Sequence, residues 1–316
     1  MDVLGEILAS LRLTGGVVID GCFSGDFCVA AEFTPGHCAP FFPVPERLIS
    51  YHYVRSGRLV VEMAGMEPRE VAPGTIIILP RNDPHRLASA CGLEPADVER
   101  IGWVTAEGLH RVTCGTGEGD TRVWCGFLGT ARAGVHPLLD ALPALLVLDV
   151  TGGSGAWVDS SMRFVAEAQP EPEMVAKLAE LFLAQAIRDY LSREGGASEG
   201  WVRALADPAL SRALGHIHRH YREPLSVDAL AREAGVSKTV LGEKFAELLG
   251  EPPIRYCGRW RLRVAANRLL ETGDPVASIA YDVGFNSEAA FSRAFKREYG
   301  IAPAAWRRPS PIRECN

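Results

Sequence analysis

The sequence predicts an α+β protein in which a β-barrel or β-sandwich precedes a linker helix and an all-α domain with two helix-turn-helix units. Short β-branched or alternating runs between turn residues dominate residues 16–126 and favour many short strands. After about residue 160 the apolar residues recur at helical spacing. A helix, a tight turn and a second helix are then predicted twice near the C-terminus. With 316 residues and a hydrophobic fraction of 47%, the chain can bury two cores.

Six runs in the N-terminal part have the length and the alternation of strands. They are residues 16–20, 27–33, 48–54, 58–63, 75–79 and 121–127. No helical crossover pattern separates them, and many short strands of this kind are typical of a sandwich or a barrel.

A linker helix is predicted over residues 173–193, and its apolar face has no obvious partner in the chain. The residues at helical spacing are Met174, Leu178, Leu181, Phe182 and Leu191. This face either pairs two copies of the chain or packs on the barrel. The run GGASEG is flexible and marks a boundary. We therefore predict a β domain at 1–160, a helical linker that could mediate dimerisation at 161–200, and a helix-turn-helix domain at 201–316.

The first helix-turn-helix unit begins at Ser226, which is an N-cap residue type, and its first helix stops at Gly235. A second helix follows from Lys238. Its predicted apolar face consists of Val240, Leu241, Phe245, Leu248 and Leu249. A helix, a glycine-containing turn and a second helix are the arrangement that presents the second helix to a DNA major groove.

The second unit repeats this pattern about fifty residues later, with Asp274 as the predicted N-cap and Pro275 at the first helical position. Gly284 supplies the turn, and Asn286 or Ser287 caps the second helix. Phe291, Phe295 and Tyr299 are predicted to face inward, while Ser292, Arg293 and Lys296 face outward. Between the two units, a helix over residues 254–271 carries Arg255, Arg259, Arg261, Arg263 and Arg268. These arginines either line a solvated face or contact phosphate.

The charge of the chain is unevenly distributed. From Pro208 to the C-terminus there are 17 Lys and Arg against 12 Asp and Glu, a net charge of +5, whereas the rest of the chain has 16 against 27, a net charge of −11. This asymmetry fits a basic module for a polyanion joined to an acidic regulatory module, although two differently solvated surfaces would show it too.

Several protein classes are disfavoured by the composition. No segment approaches the ~20 apolar residues of a membrane span, and the first residues do not resemble an export signal, so we expect a cytoplasmic protein. The eight cysteines then indicate free or ligating thiols rather than a disulfide framework.

Over roughly residues 208–308 the sequence resembles the AraC-type transcriptional regulators. The resemblance is carried by Phe245 and by the motifs ALAREAGVS at 229–237, GEPP at 250–253, SIAYDVGF at 278–285, FSRAFKREYG at 291–300 and PAAWRR at 303–308. Such proteins place both recognition helices into successive major grooves on one face of the duplex. The resemblance implies that double-stranded DNA and the transcription machinery are partners and that the protein is a homodimer.

Carried over by position, the resemblance also implies a set of DNA-binding residues. In the first unit these are Ser237, Lys238, Thr239, Gly242, Glu243 and Lys244, and in the second Asn286, Ser287, Glu288, Ala289, Ser292, Arg293 and Lys296. Thr239 and Glu243 stand where relatives often have an aromatic residue and an arginine. Glu243 either accepts a hydrogen bond from a cytosine amino group or pairs with a neighbouring lysine, and Arg293 has the donors for a guanine edge.

The N-terminal half resembles the cupin-type sensor domains that often precede such DNA-binding domains. Gly74, Pro80, Asn82 and His85 follow the second cupin motif, while YHYVRSG at 51–57 is a reduced first motif with one histidine instead of two. The resemblance implies that a small organic effector binds in this domain. The candidate effector-binding residues are His37, Cys38, His52, Tyr53 and His85.

The same residues could instead bind a metal ion in the cupin-like domain. His52, His85 and His37 could hold zinc or iron. Alternatively, the histidines line a ligand pocket or satisfy a buried hydrogen bond, and we expect no cofactor. A cupin metalloenzyme fused to a DNA-binding tail is therefore the alternative to an effector-controlled regulator, and the missing motif histidine favours the regulator, which is not an enzyme. An interaction adaptor without DNA affinity is disfavoured by the basic repeat.

Overall fold

The computed structural model describes residues 3–11, 13–31, 33–34, 45, 47–96, 102–106, 109–115, 119–130, 137–151, 156–168, 172–194 and 200–307. The chain forms two compact units. The β unit comprises residues 13–193, and the helical unit combines residues 1–12 with residues 194–316. The predicted α+β class is therefore confirmed, with the β unit inserted between the first helix and the rest of the helical unit.

The β unit contains eleven described strands in two sheets. They are β1 (Leu13–Phe23), β2 (Cys28–Ala31), β3 (Arg47–Ser56), β4 (Leu59–Met63), β5 (Arg69–Val71), β6 (Thr75–Leu79), β7 (His85–Ala88), β8 (Gly102–Ala106), β9 (Leu109–Cys114), β10 (Thr121–Thr130) and β11 (Leu146–Asp149). One sheet has the order β11-β6-β3-β10-β1-β9-β8, and the other has the order β2-β7-β4-β5. The core lies between them, because the buried cluster draws Val54, Ile77 and Val123 from the first sheet and Val61 and Leu87 from the second.

Three helices complete the β unit: α2 (Pro137–Ala141), α3 (Ala156–Ala168) and α4 (Pro172–Glu194). A small apolar cavity of about 20 Å³ lies between α4 and the face of the large sheet that points away from the core. Ile49, Tyr51 and Ile78 line it from the sheet, and Phe182 and Leu183 line it from α4. One side of the predicted linker helix therefore packs on the sheet, and residues 161–193 belong with the strands.

Nine helices are described in the helical unit. They are α1 (Val3–Leu11), α5 (Gly200–Ala206), α6 (Pro208–His220), α7 (Val227–Ala234), α8 (Lys238–Leu249), α9 (Pro253–Glu271), α10 (Val276–Asp282), α11 (Glu288–Tyr299) and α12 (Pro303–Trp306). The long helix α9 is continuous through Gly258 and packs against α1, α6, α8, α10, α11 and α12.

Helix α1 is where the structure departs from the predicted domains. The sequence prediction placed residues 1–12 with the β domain, whereas α1 packs on α6 and α9. Ile7, Leu8 and Leu11 are completely buried there, and the Asn267 amide donates a 3.0 Å hydrogen bond to the Ser10 carbonyl. The physical reason is that the apolar face of α1 completes the core of the helical unit.

His218 on α6 connects α1 to the centre of this core. Its ring stacks on Trp260 with centroids 3.8 Å apart, its Nε2 lies 2.7 Å from the Tyr256 hydroxyl, and its Nδ1 lies 3.1 Å from a Glu6 carboxylate oxygen. Burial lowers the pKa of His218 below its ordinary value, although the hydrogen bond and charge of Glu6 oppose this effect. The imidazole is therefore buried in its neutral form.

The first prediction is that His218 makes the helical unit acid-sensitive. An unfolded histidine binds a proton near pH 6.5, and folded His218 does so only at lower pH, so stability is full above about pH 6.5 and falls as the pH drops below it, by at most about 1.4 kcal/mol per pH unit. His218→Gln should flatten this dependence, whereas His220→Gln, at a partly exposed site on the same helix, should retain it. The stability of the helical unit is measured in urea titrations of the full chain at pH 7.5 and 5.5, with hydrogen exchange of the α6 and α9 amides as the readout. Equal slopes in the wild type and His218→Gln would contradict the prediction.

Candidate DNA interface and sensor site

The first helix-turn-helix unit consists of α7 and α8; Ser226 and Gly235 begin and end α7 as predicted, and Ser237, which was predicted only as a DNA-binding residue, caps α8. The Ser226 hydroxyl accepts a hydrogen bond from the Ala229 amide, and the Ser237 hydroxyl accepts one from the Val240 amide, each at 3.2 Å. Gly235 ends α7 in the left-handed conformation, which favours glycine, with φ of 71°. Leu241, Phe245 and Leu248 bury one face of α8, while Val240, which was predicted to face the core, is exposed.

The predicted DNA-binding residues of α8 fall into two groups. Thr239 and Glu243 are exposed and Gly242 is partly exposed, and Glu243 makes no hydrogen bond or ion pair to any residue that the structure describes. The two lysines are already paired, Lys238 with Asp228 and Lys244 with Asp207. Glu243 therefore does not form an ion pair with the neighbouring Lys244, which was one of the two roles predicted for it.

Lys244 has a structural partner in the N-cap of α6. Asp207 accepts hydrogen bonds from the Ala209 and Leu210 amides at 2.9 Å and from the Lys244 ammonium. Although burial acts to raise the pKa of Asp207, the hydrogen bonds from Lys244 and these amides lower it. Lys244 thus ties α8 to α6, and its ammonium is engaged within the protein.

The second unit consists of α10 and α11. Ser287, rather than Asn286, caps α11 by accepting a 3.2 Å hydrogen bond from the Ala290 amide. Asp274 does not cap α10, which begins one residue later than predicted, after Pro275. Phe291 and Phe295 are buried, as predicted. The other predicted DNA-binding residues, Asn286, Glu288, Ala289, Ser292, Arg293 and Lys296, are all at least partly exposed.

Arg293 differs from the arginines of α9 because its guanidinium has no hydrogen-bonding or ionic partner in the described part of the chain. On α9, Arg259 pairs with Glu251 and Glu298, and Arg268 pairs with Asp274 and Asp282. Arg261 donates to main-chain carbonyls, whereas Arg255 is largely exposed. The guanidinium groups of Arg259, Arg261 and Arg268 are therefore engaged within the protein, whereas those of Arg255 and Arg293 are accessible.

In the β unit, the structure brings together two of the predicted sensor residues. His52 on β3 and His85 on β7 are buried between the two sheets, with their Nε2 atoms 2.7 Å apart. Cys125 on β10 lies beside them, with its Sγ 2.9 Å from the Nδ1 of His52. Cys125 was not predicted, because only the register that places it opposite His52 reveals the contact.

The three side chains form one consistently oriented hydrogen-bond chain. The Nδ1 of His85 lies 2.9 Å from the Asp83 carbonyl and must donate to it, so its Nε2 accepts. His52 then donates from Nε2 to His85 and accepts at Nδ1 from the Cys125 thiol. Burial lowers the pKa of His52 well below its ordinary value, and His85 lowers it further. Burial also lowers the pKa of His85 and raises that of the Cys125 thiol, which keeps all three groups neutral.

Tyr53 does not join this cluster. Tyr53 lies on the opposite face of β3 from His52, because successive strand residues point to opposite sides, and it stacks on Trp124 at 5.9 Å. His37 and Cys38 lie outside the described residues. Within the described ranges, no group of three or more His, Cys, Asp or Glu side chains is arranged to hold a metal ion. Because the hydrogen-bond chain also occupies every ring nitrogen of His52 and His85, the described residues do not fit a zinc or iron site.

Known protein families match the sequence of both units. A family model described as Cupin matches residues 2–192, and one described as Helix-turn-helix domain matches residues 230–309. A putative AraC-like transcription regulator of Streptomyces lividans is 31% identical over 279 residues, which cover 86% of this chain and 90% of that protein. The chain belongs to the AraC family of transcription regulators.

Two further proteins are similar to parts of this chain. The HTH-type transcriptional regulator AlkR of Acinetobacter baylyi is 27% identical over 250 residues, covering 75% of this chain and 80% of that protein. Among solved structures, the DNA-binding domain of AdpA in complex with a target DNA matches with 28% identity and a TM-score of 0.30, over 32% of this chain and 90% of that one. These relatives are transcription regulators and not enzymes, and this AraC-family chain binds DNA through its helix-turn-helix domain. No described helix has the length and apolarity needed to cross a bilayer.

The second prediction uses two glycines that lie in helices with open space around them. A Cβ added at Gly242 on α8 or at Gly258 on α9 meets no atom within 4 Å, so either Gly→Ala change should stabilise the helical unit by about 1 kcal/mol. On DNA the two should differ if Gly242 faces the base edges as predicted, because a methyl group there would intrude on them. Gly242→Ala should weaken binding on the order of tenfold, and Gly258→Ala should leave it unchanged. Fluorescence anisotropy measures this, and an unchanged Kd for Gly242→Ala would remove Gly242 from the interface.

The third prediction concerns Arg293. If Arg293 reads a guanine edge as predicted, Arg293→Ala should cost about 1–3 kcal/mol of specific binding and relax one base position, because a bidentate contact would be lost. Arg232→Ala, an exposed site on α7, is the control and should leave the base preference unchanged. Selection from a randomised site followed by sequencing reads out the preference. If Arg293→Ala selects the same sequences with the same affinity, the assignment is wrong.

Proposed function

We propose that the protein regulates transcription by placing α8 and α11 into two successive major grooves, and that a small organic effector bound in the β unit controls this binding. The observation that carries the DNA part is that the same capped arrangement occurs twice. In each unit a serine caps the recognition helix and the inward face is buried, which leaves Thr239 and Glu243 on one helix and Glu288 and Arg293 on the other exposed. These residues, with the other candidates named above, form the proposed interface.

Nuclease protection on genomic fragments tests the DNA part of the proposal. We expect two protected blocks on one face of the duplex, about 10 base pairs apart, because major grooves recur once per helical turn. A single block would contradict the use of both helices, and protection without sequence preference would contradict specific reading. Genes adjacent to the protected site then suggest the chemistry of the effector.

The effector part of the proposal is supported by the pair His52 and His85. Its polar atoms lie in an interior lined mainly by apolar side chains such as Leu48, Val54 and Phe127, with the buried Ser50 on the same face of β3, and the Phe33 ring lies 6.4 Å from the His52 ring. A few polar groups in an apolar enclosure are typical of small-molecule sites. We propose His52 and His85 as effector-binding residues, and we include His37 and Cys38, which the sequence prediction placed with them.

The fourth prediction tests this assignment with a matched pair of variants. A deproteinised small-molecule extract of the producing cells should change the affinity of the full chain for its mapped site by about tenfold, a coupling typical of allosteric effectors. His85→Phe should abolish the change, whereas Tyr53→Phe, altered on the other face of the sheet, should preserve it. Retention of the full response by His85→Phe would place the effector elsewhere.

We further propose that the protein is a homodimer and that it acts on the transcription machinery from its bound site. The side of α4 that faces away from the sheet exposes 49% of Met174 and 53% of Leu181, and Phe164 on α3 is 45% exposed. Apolar side chains of this size on neighbouring helices are typical of an interface.

The fifth prediction is that Leu181→Asp converts the dimer into a monomer, because it places a charge in an apolar interface. Met66→Asp is the control, since Met66 is a similarly exposed apolar residue in the turn after β4. Light scattering at several protein concentrations gives the mass. A wild-type protein that is already monomeric at micromolar concentration would remove the proposal.

A further inference from the structure

Arg261, near the middle of α9, donates hydrogen bonds to main-chain carbonyls of two segments, one leading into the first helix-turn-helix unit and one within the second. Its Nε donates to the Tyr221 carbonyl at 2.5 Å and its Nη2 donates to the Glu223 carbonyl at 2.7 Å. Its Nη1 donates to the Gly284 carbonyl at 2.9 Å. Tyr221 and Glu223 lie in the loop that leads from α6 into the first helix-turn-helix unit, while Gly284 is the turn residue of the second. One guanidinium therefore holds a segment of each unit.

The two segments are also in direct contact. Gly284 has φ of 89°, a conformation that favours glycine, and a Cβ at this position would lie 2.6 Å from the Arg222 carbonyl oxygen and 3.1 Å from the Arg222 carbonyl carbon. The loop at 221–223 thus packs against the turn of the second unit so closely that only glycine fits. Arg261 closes this contact from the side of α9, and we call the assembly of Arg261, the loop at 221–223 and Gly284 the arginine clamp.

A connecting helix alone does not determine how two DNA-reading units are oriented. The 19 residues of α9 span about 28 Å and fix the distance between the units. Rotation of one unit about the end of the helix is restrained only by a second contact away from the helix axis. The arginine clamp is such a contact, and its charge-assisted hydrogen bonds are stronger than neutral ones.

We propose that Arg261 is a positioning residue which fixes the relative orientation of α8 and α11, so that the protein accepts its two half-sites at only one spacing. This inference rests on the proposed function, in which both helices read DNA. The planar fork of arginine is required, because the single ammonium of a lysine does not reach three carbonyls that lie in different directions. The guanidinium of Arg261 itself is turned toward these three main-chain acceptors.

The test compares binding of the full chain to the mapped site, to the same site with one, two or three base pairs inserted between its halves, and to a single half-site. The wild type should lose affinity steeply with each insertion. Arg261→Lys and Arg261→Gln should bind the natural spacing about tenfold more weakly, tolerate the insertions with little further loss, and bind the single half-site as the wild type does. Gly284→Ala, which separates the same two segments from the other side, should give the same flattened dependence on spacing.

Arg255→Gln is the matched control, because Arg255 lies on the same helix with its side chain 75% exposed. It should keep the steep dependence on spacing. Equal weakening of Arg261→Lys on the single half-site and on the full site would mean a loss of folding or of a phosphate contact and would overturn the assignment, as would a reduced salt dependence of binding. If the wild type itself shows no dependence on spacing, the use of two recognition helices is wrong. If the wild type shows it and both Arg261 variants retain it, the proposed function stands and the arginine clamp does not set the spacing.

Discussion

The helical unit depends on the burial of α9 against its neighbouring helices along most of its length. Tyr256, Trp260, Leu262, Ala265 and Leu269 are buried along this helix, and six other helices pack against it. A helix that is enclosed in this way has little surface left for solvated charges, yet α9 carries arginines throughout its length. Each buried guanidinium must therefore find acceptors inside the protein, since an unpaired charge in a core is strongly destabilising. This requirement explains why the acceptors are the carboxylates and main-chain carbonyls of the neighbouring segments.

The same requirement separates the two kinds of arginine in the chain. Arg259, Arg261 and Arg268 stabilise the arrangement of helices around α9, whereas Arg293 projects from α11 with no partner among the described residues. Sequence composition does not distinguish them, because both kinds sit at polar positions of amphipathic helices. Only the packing partners show which arginines are paired within the protein, and those partners lie between 6 and 40 residues away along the chain.

Local signals account for what the sequence predicted correctly, and distant contacts account for what it missed. Ser226 and Gly235 act within a few residues of their own positions, so both ends of α7 were predictable from spacing alone. The docking of α1 required a partner more than 200 residues away, as the contact between Ser10 and Asn267 shows. Cys125 joined the sensor residues only through strand register. The separation of Tyr53 from His52, in contrast, follows from alternation along a strand and was available from the sequence.

The neutral hydrogen-bond chain in the β unit limits the chemistry of any effector that binds beside it. Cys125, His52, His85 and the Asp83 carbonyl already satisfy one another. A purely apolar molecule that separated the two histidines would leave a buried donor and acceptor unpaired, at a cost of about 1–3 kcal/mol for each group. An effector that inserts between them must therefore supply both an acceptor for His52 and a donor for His85. A carboxylic acid or an amide carries a hydrogen-bond acceptor and a donor on the same carbon, and an alkane has neither. Since β3 and β7 belong to different sheets, such an insertion would also change the separation of the sheets, which is a direct means of passing ligand binding to the rest of the β unit.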